Sequence, residues 1–365
     1  MGLKFKNSVF SLLLLLLLSG FFSFGQNNST SQEDPLNNFI KINSVQERFD
    51  YFFKETDHYR ESSAYKWIDS VNEAIDVAEK NSDSTAVFKY KTMLMKLYYD
   101  IGNYDRSALI GELLYTEEKK LDKHIKVEIL KTLDVVYREL QIYDKQLETR
   151  RALKGLGENI VLYDVYAELG LYRQAMMEYI IANQSKLESS GNKLYEAEYY
   201  NVLGSYLLKD GSIYTAYKNI QTARDRINKF LIVNRNLSVK EFNEAIYLKG
   251  KIDSNLGKCK MFQNKFEEAI PYLEAGISSS KIHDKGKYSK TIVNLWEALA
   301  ECYLEIGNLE IAHKYLDSIV LDQKIVKSNI VNYNRLRANF YLKDSNPDSA
   351  SLFFKEYVKL KDSLD

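Results

Sequence analysis

The sequence predicts an all-α fold, a solenoid of stacked helix–turn–helix repeats, and three observations carry that prediction. Apolar residues recur at helical spacing almost without a break from about Phe39 onward. Only three prolines, Pro35, Pro271 and Pro347, interrupt 365 residues. Because an interior proline removes a backbone donor and clashes with the preceding turn, so sparse a set leaves room for long helices. Finally, one motif returns along the chain: an aromatic residue or Leu, a turn about four residues later, then an apolar residue, a small residue and another aromatic or Leu. Its copies are YYDIGNYDRSAL (98–109), YRELQIYDKQL (137–147), YAELGLYRQAMMEY (166–179), LLKDGSIYTAYKNI (207–220), KMFQNKFEEAIPYL (260–273), YLEIGNLEIAHKYL (303–316) and the weaker YLKDSNPDSASLFF (341–354).

Taken in order, the chain opens with MGLKFKNSVFSLLLLLLLSGFFSFG. Lys4 and Lys6 form a positive start, Val9 to Leu18 an apolar stretch with seven consecutive leucines, and Ser23-Phe24-Gly25 a small-x-small cleavage site. This is the pattern of a secretory signal peptide at 1–25, cut after Gly25. An uncleaved anchor is the alternative, although the stretch is short of the ~20 apolar residues a spanning helix needs. No cysteine follows it, so no lipid anchor is expected. With the positive residues held inside, the bulk of the chain is sent out of the cytoplasm, to the periplasm or beyond. Residues 26–38 read as a flexible polar linker. A solenoid of about seven to eight helical pairs follows over 39–365, its first pair, at about 39–80, degenerate.

From about Phe88 to Asp365 the repeats resemble the tetratricopeptide repeat. The small residue of that family's first helix corresponds to Gly204, Gly257 and Ala300, and its turn glycine to Gly102, Gly170, Gly211 and Gly307. The small residue of its second helix corresponds to Ala175, Ala216, Ala269, Ala312 and Ala350. The resemblance implies a right-handed superhelix whose first helices line a concave groove. Physics requires the stacking in any case, since a two-helix unit cannot bury its apolar stripe alone. Small residues belong where the two helices approach most closely. The turns are spaced 39, 29, 41, 53, 43 and 38 residues apart, so several helices exceed the family standard, above all across 219–252. Gln146 and Arg150 stand where small residues are expected, which predicts a poorly formed second repeat.

Chemistry is sparse. Lysine plus arginine and aspartate plus glutamate number 50 each, and removing residues 1–25 leaves 48 against 50. Nucleic-acid binding needs a basic excess to displace counterions, so it is not expected. The four histidines, His58, His124, His283 and His313, lie far apart without metal-site spacing, and no nucleophile elbow or phosphate loop occurs. An enzyme, a metal and a cofactor are therefore not expected. Cys259 and Cys302 each fall two residues after the small residue of a first helix. Equivalent places on stacked helices lie about 8–10 Å apart, beyond the ~7 Å limit for a bridge. Two buried free thiols are favoured, with a Cys259–Cys302 disulfide as the alternative. The 28 tyrosines suit a fold that repeatedly needs flat, half-buried rings.

What remains for function is the groove. Counting back from each turn, its candidates are Asn201, Ser205, Lys258, Glu297, Glu301, Arg335 and Asn339, side chains able to bind a peptide backbone or carboxylate. Within residues 295–320, Trp296, Leu299, Ala300 and Tyr303 take packing places, and only Glu297 and Glu301 look open to a partner. The regular Lys/Asn/Arg clamp that some relatives use on C-terminal carboxylates is missing. The tail SLFFKEYVKLKDSLD resembles the last repeat of bacterial sensor ectodomains. The expectation is a non-catalytic exported scaffold binding a protein or peptide, a signalling ectodomain lacking its output domain. The alternative is an exported glycan- or nutrient-binding surface protein. The membrane enters only if residues 1–25 stay uncleaved.

Overall fold

The structure is a computed structural model that describes residues 34–54, 64–234, 236–283, 289–319 and 327–362. The signal peptide, most of the linker and His58 lie outside the described residues. Among the described residues there are 17 α-helices and no strand, and they fall into two compact units that divide at Asn159.

The first unit holds α1 (Pro35–Lys41), α2 (Val45–Lys54), α3 (Ala64–Lys80), α4 (Ser84–Asp100), α5 (Tyr104–Thr116), α6 (Lys123–Leu140) and α7 (Tyr143–Gly155). Asp34 caps α1 through the Leu36 N–H at 3.0 Å, with Pro35 at the first helical position, where a missing N–H costs nothing. The region expected to hold one degenerate pair contains three helices joined by rings. Phe39 and Phe52 pack on Trp67 with centroids 5.0 and 5.8 Å apart, and Phe39, Phe49, Phe52 and Trp67 are fully buried. Aromatics substitute here for the small-residue contacts of the later hairpins.

The second unit holds α8 (Tyr163–Glu168), α9 (Tyr172–Ser190), α10 (Lys193–Lys209), α11 (Ile213–Val233), α12 (Val239–Phe262), α13 (Phe266–His283), α14 (Lys290–Glu305), α15 (Leu309–Asp317), α16 (Lys327–Lys343) and α17 (Pro347–Asp362). At 21 and 24 residues, α11 and α12 supply the length that the wide turn spacing demands. Pro271 lies inside α13, where its missing N–H falls within the second turn.

One turn recurs. Gly102, Gln141, Gly170, Gly211, Asn264, Gly307 and Ser345 all have positive φ, between 57 and 84°. In each case that residue's N–H bonds back three residues and the next N–H bonds back five, as Asn308 does to Tyr303 O at 2.9 Å. This satisfies the orphan carbonyls at the end of the first helix and reverses the chain. The same turn therefore forms with Gln, Asn or Ser at the left-handed position, which glycine occupies more cheaply.

Five residues after each turn comes the close contact of the second helix. Ser107, Ala175, Ala216, Ala269, Ala312 and Ala350 are all buried. Facing them are Gly204, Gly257, Ala300 and Ala338, seven residues before their turns. A Cβ on Gly204 would stand 2.3 Å from Ile220 Cγ1, and one on Gly257 2.9 Å from Leu273 Cγ. The α12/α13 pair closes again two turns away, where a Cβ on Gly250 would lie 2.3 Å from Ser279 Cβ.

The second repeat, expected to be poorly formed, is instead well packed. Asp134 occupies the first-helix small position and Gln146 the second, and Gln146 Nε2 donates to Asp134 Oδ1 at 2.9 Å. Arg150 Nε reaches the same oxygen at 2.6 Å. A buried polar cluster fills the space that alanines leave closed elsewhere. Cys259 and Cys302 are both free and buried, and burial pushes their thiols up to about 11 and about 12.

Candidate functional site

The first helices of four hairpins in the second unit, α10, α12, α14 and α16, pack side by side in sequence. Because each ends in the same turn, residues at equal distances before it share one face. Six residues before the turn stand Ser205, Lys258, Glu301 and Asn339, and ten residues before it stand Asn201, Glu297 and Arg335. All seven sequence-chosen residues thus sit in two aligned rows, one helical turn apart.

The structure treats them unequally. Asn201 is buried, and its Oδ1 accepts from Asn255 Nδ2 on α12 at 2.9 Å. Ser205 spends its hydroxyl on the Val202 carbonyl of its own helix at 2.9 Å. Asn339 is half-buried, with no side-chain hydrogen bond to another described residue. Glu297, expected to be offered to a partner, is only 5% exposed. Its Oε2 accepts from Asn329 Nδ2 at 3.1 Å and Asn332 Nδ2 at 3.0 Å, while Oε1 is covered and has no partner. Burial raises the Glu297 carboxyl above the usual range, against the pull of the two amides and Arg335.

Glu301 and Arg335 meet each other. Arg335 donates to Glu301 Oε2 at 3.0 Å, and its Nε and second N–H reach Asn332 Oδ1 at 3.0 and 2.8 Å. Lys258 is half-buried without a hydrogen bond or ion pair to any described residue. Burial and the nearby Lys209 push its ammonium below the ordinary lysine value, with Glu297 acting the other way.

Lys258, Glu297 and Glu301 share one cavity of about 370 Å³, whose walls include Met261, Phe262, Phe266 and Ala298 and whose polar edge includes Asn294 and Asn332. Phe262 is 63% exposed. The sequence pattern alone did not single out Asn255, Asn329, Asn294 and Asn332. The last two stand thirteen residues before their turns, so counting one helical turn further back would have reached both.

The described histidines all take packing or pairing places. His124 meets Phe49 edge-on at 5.4 Å, His283 stacks on Tyr247 at 3.8 Å, and His313 Nδ1 pairs with Asp317 at 2.8 Å. No group of three or more His, Cys, Asp or Glu side chains among the described residues could hold a metal ion. No described helix is long and apolar enough to cross a membrane. In the second unit Tyr179, Tyr199 and Tyr206 are buried against one another, with Tyr179 stacked on Tyr199 at 5.5 Å.

The repeated turn, the paired small positions before and after it, and the side-by-side row of first helices together decide the architecture. The chain has a tetratricopeptide-like helical-repeat fold. No family model matches it. Among curated proteins it is similar to a Tonsoku-like protein from Drosophila melanogaster, 25% identical over 188 residues. That match covers 48% of this chain and only 12% of the relative. Among solved structures it is similar to the apo form of the quorum sensor NprR from B. thuringiensis, at 12% identity and TM-score 0.49, over 87% of this chain and 98% of that one. A tetratricopeptide repeat protein from Parabacteroides merdae gives 16% identity and TM-score 0.47, over 75% and 93%.

Proposed function

We propose that this tetratricopeptide-like chain is a non-catalytic exported scaffold that binds a protein or peptide along the first-helix face of its second unit, as a signalling ectodomain. The observation that carries the reading is the alignment of polar side chains on four adjacent first helices, beside a cleft whose exposed wall is Phe262. On that face Lys258 and Asn339 have no side-chain partner among the described residues, and Phe262 adds an apolar anchor point. The non-catalytic part rests on how its charged groups are used: Glu301 is tied to Arg335, and Glu297 to two amides. Export rests on Lys4, Lys6, the leucine run and Ser23-Phe24-Gly25.

Peptide-display selection on the full chain tests the binding face. Enriched peptides should lose at least tenfold in affinity with Phe262→Ala or Asn339→Arg, two changes on exposed or half-buried side chains. Peptides indifferent to both changes would place binding elsewhere. Expression in a bacterial host followed by N-terminal sequencing tests export. A chain beginning at Gln26 outside the cytoplasm is expected, and an intact chain inside the cytoplasm would defeat that part.

A further inference from the structure

The cleft between α12, α14 and α16 carries a charge arrangement that the scaffold reading leaves unused. Glu297 is a carboxylate 5% exposed whose Oε1 is covered and unpartnered. A buried acceptor in that state is costly, because folding has stripped its water and supplied nothing in return. At the same cavity stands Lys258, a half-buried ammonium without an ion-pair partner among the described residues. Of the other charges nearby, Glu301 and Arg335 neutralise each other at 3.0 Å, and Lys209 adds a second ammonium close to Lys258. The cavity lining therefore presents one carboxylate oxygen and one ammonium that have no hydrogen bond or ion pair to a described residue.

A ligand that answers both must itself carry both charges. The apolar part of the wall is formed by Met261, Phe262, Phe266 and Ala298, beside the amides of Asn264, Asn294 and Asn332. The cavity of about 370 Å³ lies at the small end of the ~300–1,000 Å³ typical of ligand pockets. We infer that this cleft binds a free α-amino acid with an apolar side chain, its ammonium directed to Glu297 and its carboxylate to Lys258. Asn294 and Asn332 line the same cavity, and N–H groups of their amides can donate to the ligand carboxylate. Entry requires the cover over Oε1 to yield.

A peptide fits these charges less well. Its N-terminal residue supplies an ammonium but only a neutral carbonyl for Lys258, and its C-terminal residue supplies the reverse. The inference thus goes beyond the scaffold reading, and its test uses no peptide partner, so either can fail alone.

Isothermal titration of the full chain with L-leucine, N-acetyl-L-leucine and L-leucinamide decides it. L-leucine should bind saturably, and acetylating its amine or amidating its carboxylate should each weaken binding at least tenfold. Glu297→Gln should abolish binding while the melting curve stays cooperative. Lys258→Met should erase the preference for L-leucine over L-leucinamide. No saturable heat with L-leucine would overturn the inference. So would leucinamide binding as tightly as L-leucine, since the cleft would then read an ammonium alone, as at a peptide N-terminus.

Discussion

The hairpins α6/α7 and α12/α13 face the same packing problem and solve it with opposite chemistry. Both end their first helix in a left-handed turn residue, Gln141 or Asn264. In α12/α13 the helices close over Gly257 and Ala269, and again where Gly250 meets Ser279 and Gly276 meets Ser254, with no room for another methyl group. In α6/α7 the positions of Gly257 and Ala269 are held by Asp134 and Gln146, bonded to each other and reinforced by Arg150. A helical hairpin thus needs matched groups at the crossing, and smallness is one way of matching them. The polar solution has a different weakness: each member depends on its partner, because a buried group deprived of its hydrogen bond costs more than the bond contributed.

The comparison breaks or sharpens by substitution. The largest effect is expected for Gly250→Val, which drives new methyl groups into Ser279 and should cost about 3 kcal/mol, seen as a lowered urea midpoint of the second unit. An unchanged midpoint would mean the crossing can spread apart freely. Next, Asp134→Ala should cost about 2 kcal/mol by removing the buried acceptor that Gln146 and Arg150 share. The triple change Asp134→Ala, Gln146→Ala, Arg150→Leu copies the Ala300, Ala312 and Leu316 of α14/α15, and should recover most of that loss, since apolar replacement of a whole buried polar set is often neutral. A triple variant weaker than the single one would show that the polar cluster is not interchangeable with the small-residue contact.

Smaller again is Gly307→Ala. A Cβ there meets nothing within 4 Å, but φ is +80°, so only backbone strain of about 1 kcal/mol is expected, read as a modest fall in melting temperature. The converse change, Gln141→Gly, should stabilise or do nothing. The smallest effect concerns pH. Burial raises the Glu297 carboxyl, so the folded state holds its proton more tightly than the unfolded chain does. The associated stability is full below the unfolded carboxylate value of ~4.3 and is lost as pH rises through the folded one. Relative to the parent, Glu297→Gln should therefore melt higher near neutral pH and no higher near about pH 4. An equal shift at both would point to packing rather than charge.

Much of this fold was legible in the sequence because its causes are local. The turns at Gly102, Gly170, Gly211 and Gly307 announce themselves, and Ala216, Ala269 and Ala312 mark the crossings at a constant offset. The turns at Gln141, Asn264 and Ser345 are also found by that offset, although their residue types do not demand it. The candidate face was legible for a related reason: residues six and ten before a common turn must share a side of the helix. Hidden from such local patterns were Asp134 as the partner of Gln146, the Gly250–Ser279 contact, and the aromatic packing of Phe39, Phe52 and Trp67.

By itself the sequence determined the helices, their pairing, and the aligned rows on α10, α12, α14 and α16. Each follows from periodicity, spacing or backbone sterics within a few turns of chain. Only the tertiary structure decided what each aligned residue does. Glu297 and Glu301 are one turn apart and chemically identical. Yet one is buried among amides from α16 with an unanswered oxygen, and the other pairs with Arg335 at the surface. The difference lies in side chains more than thirty residues away in sequence, which set local burial and hence the cost of a charge. No periodicity within a single helix encodes that distance.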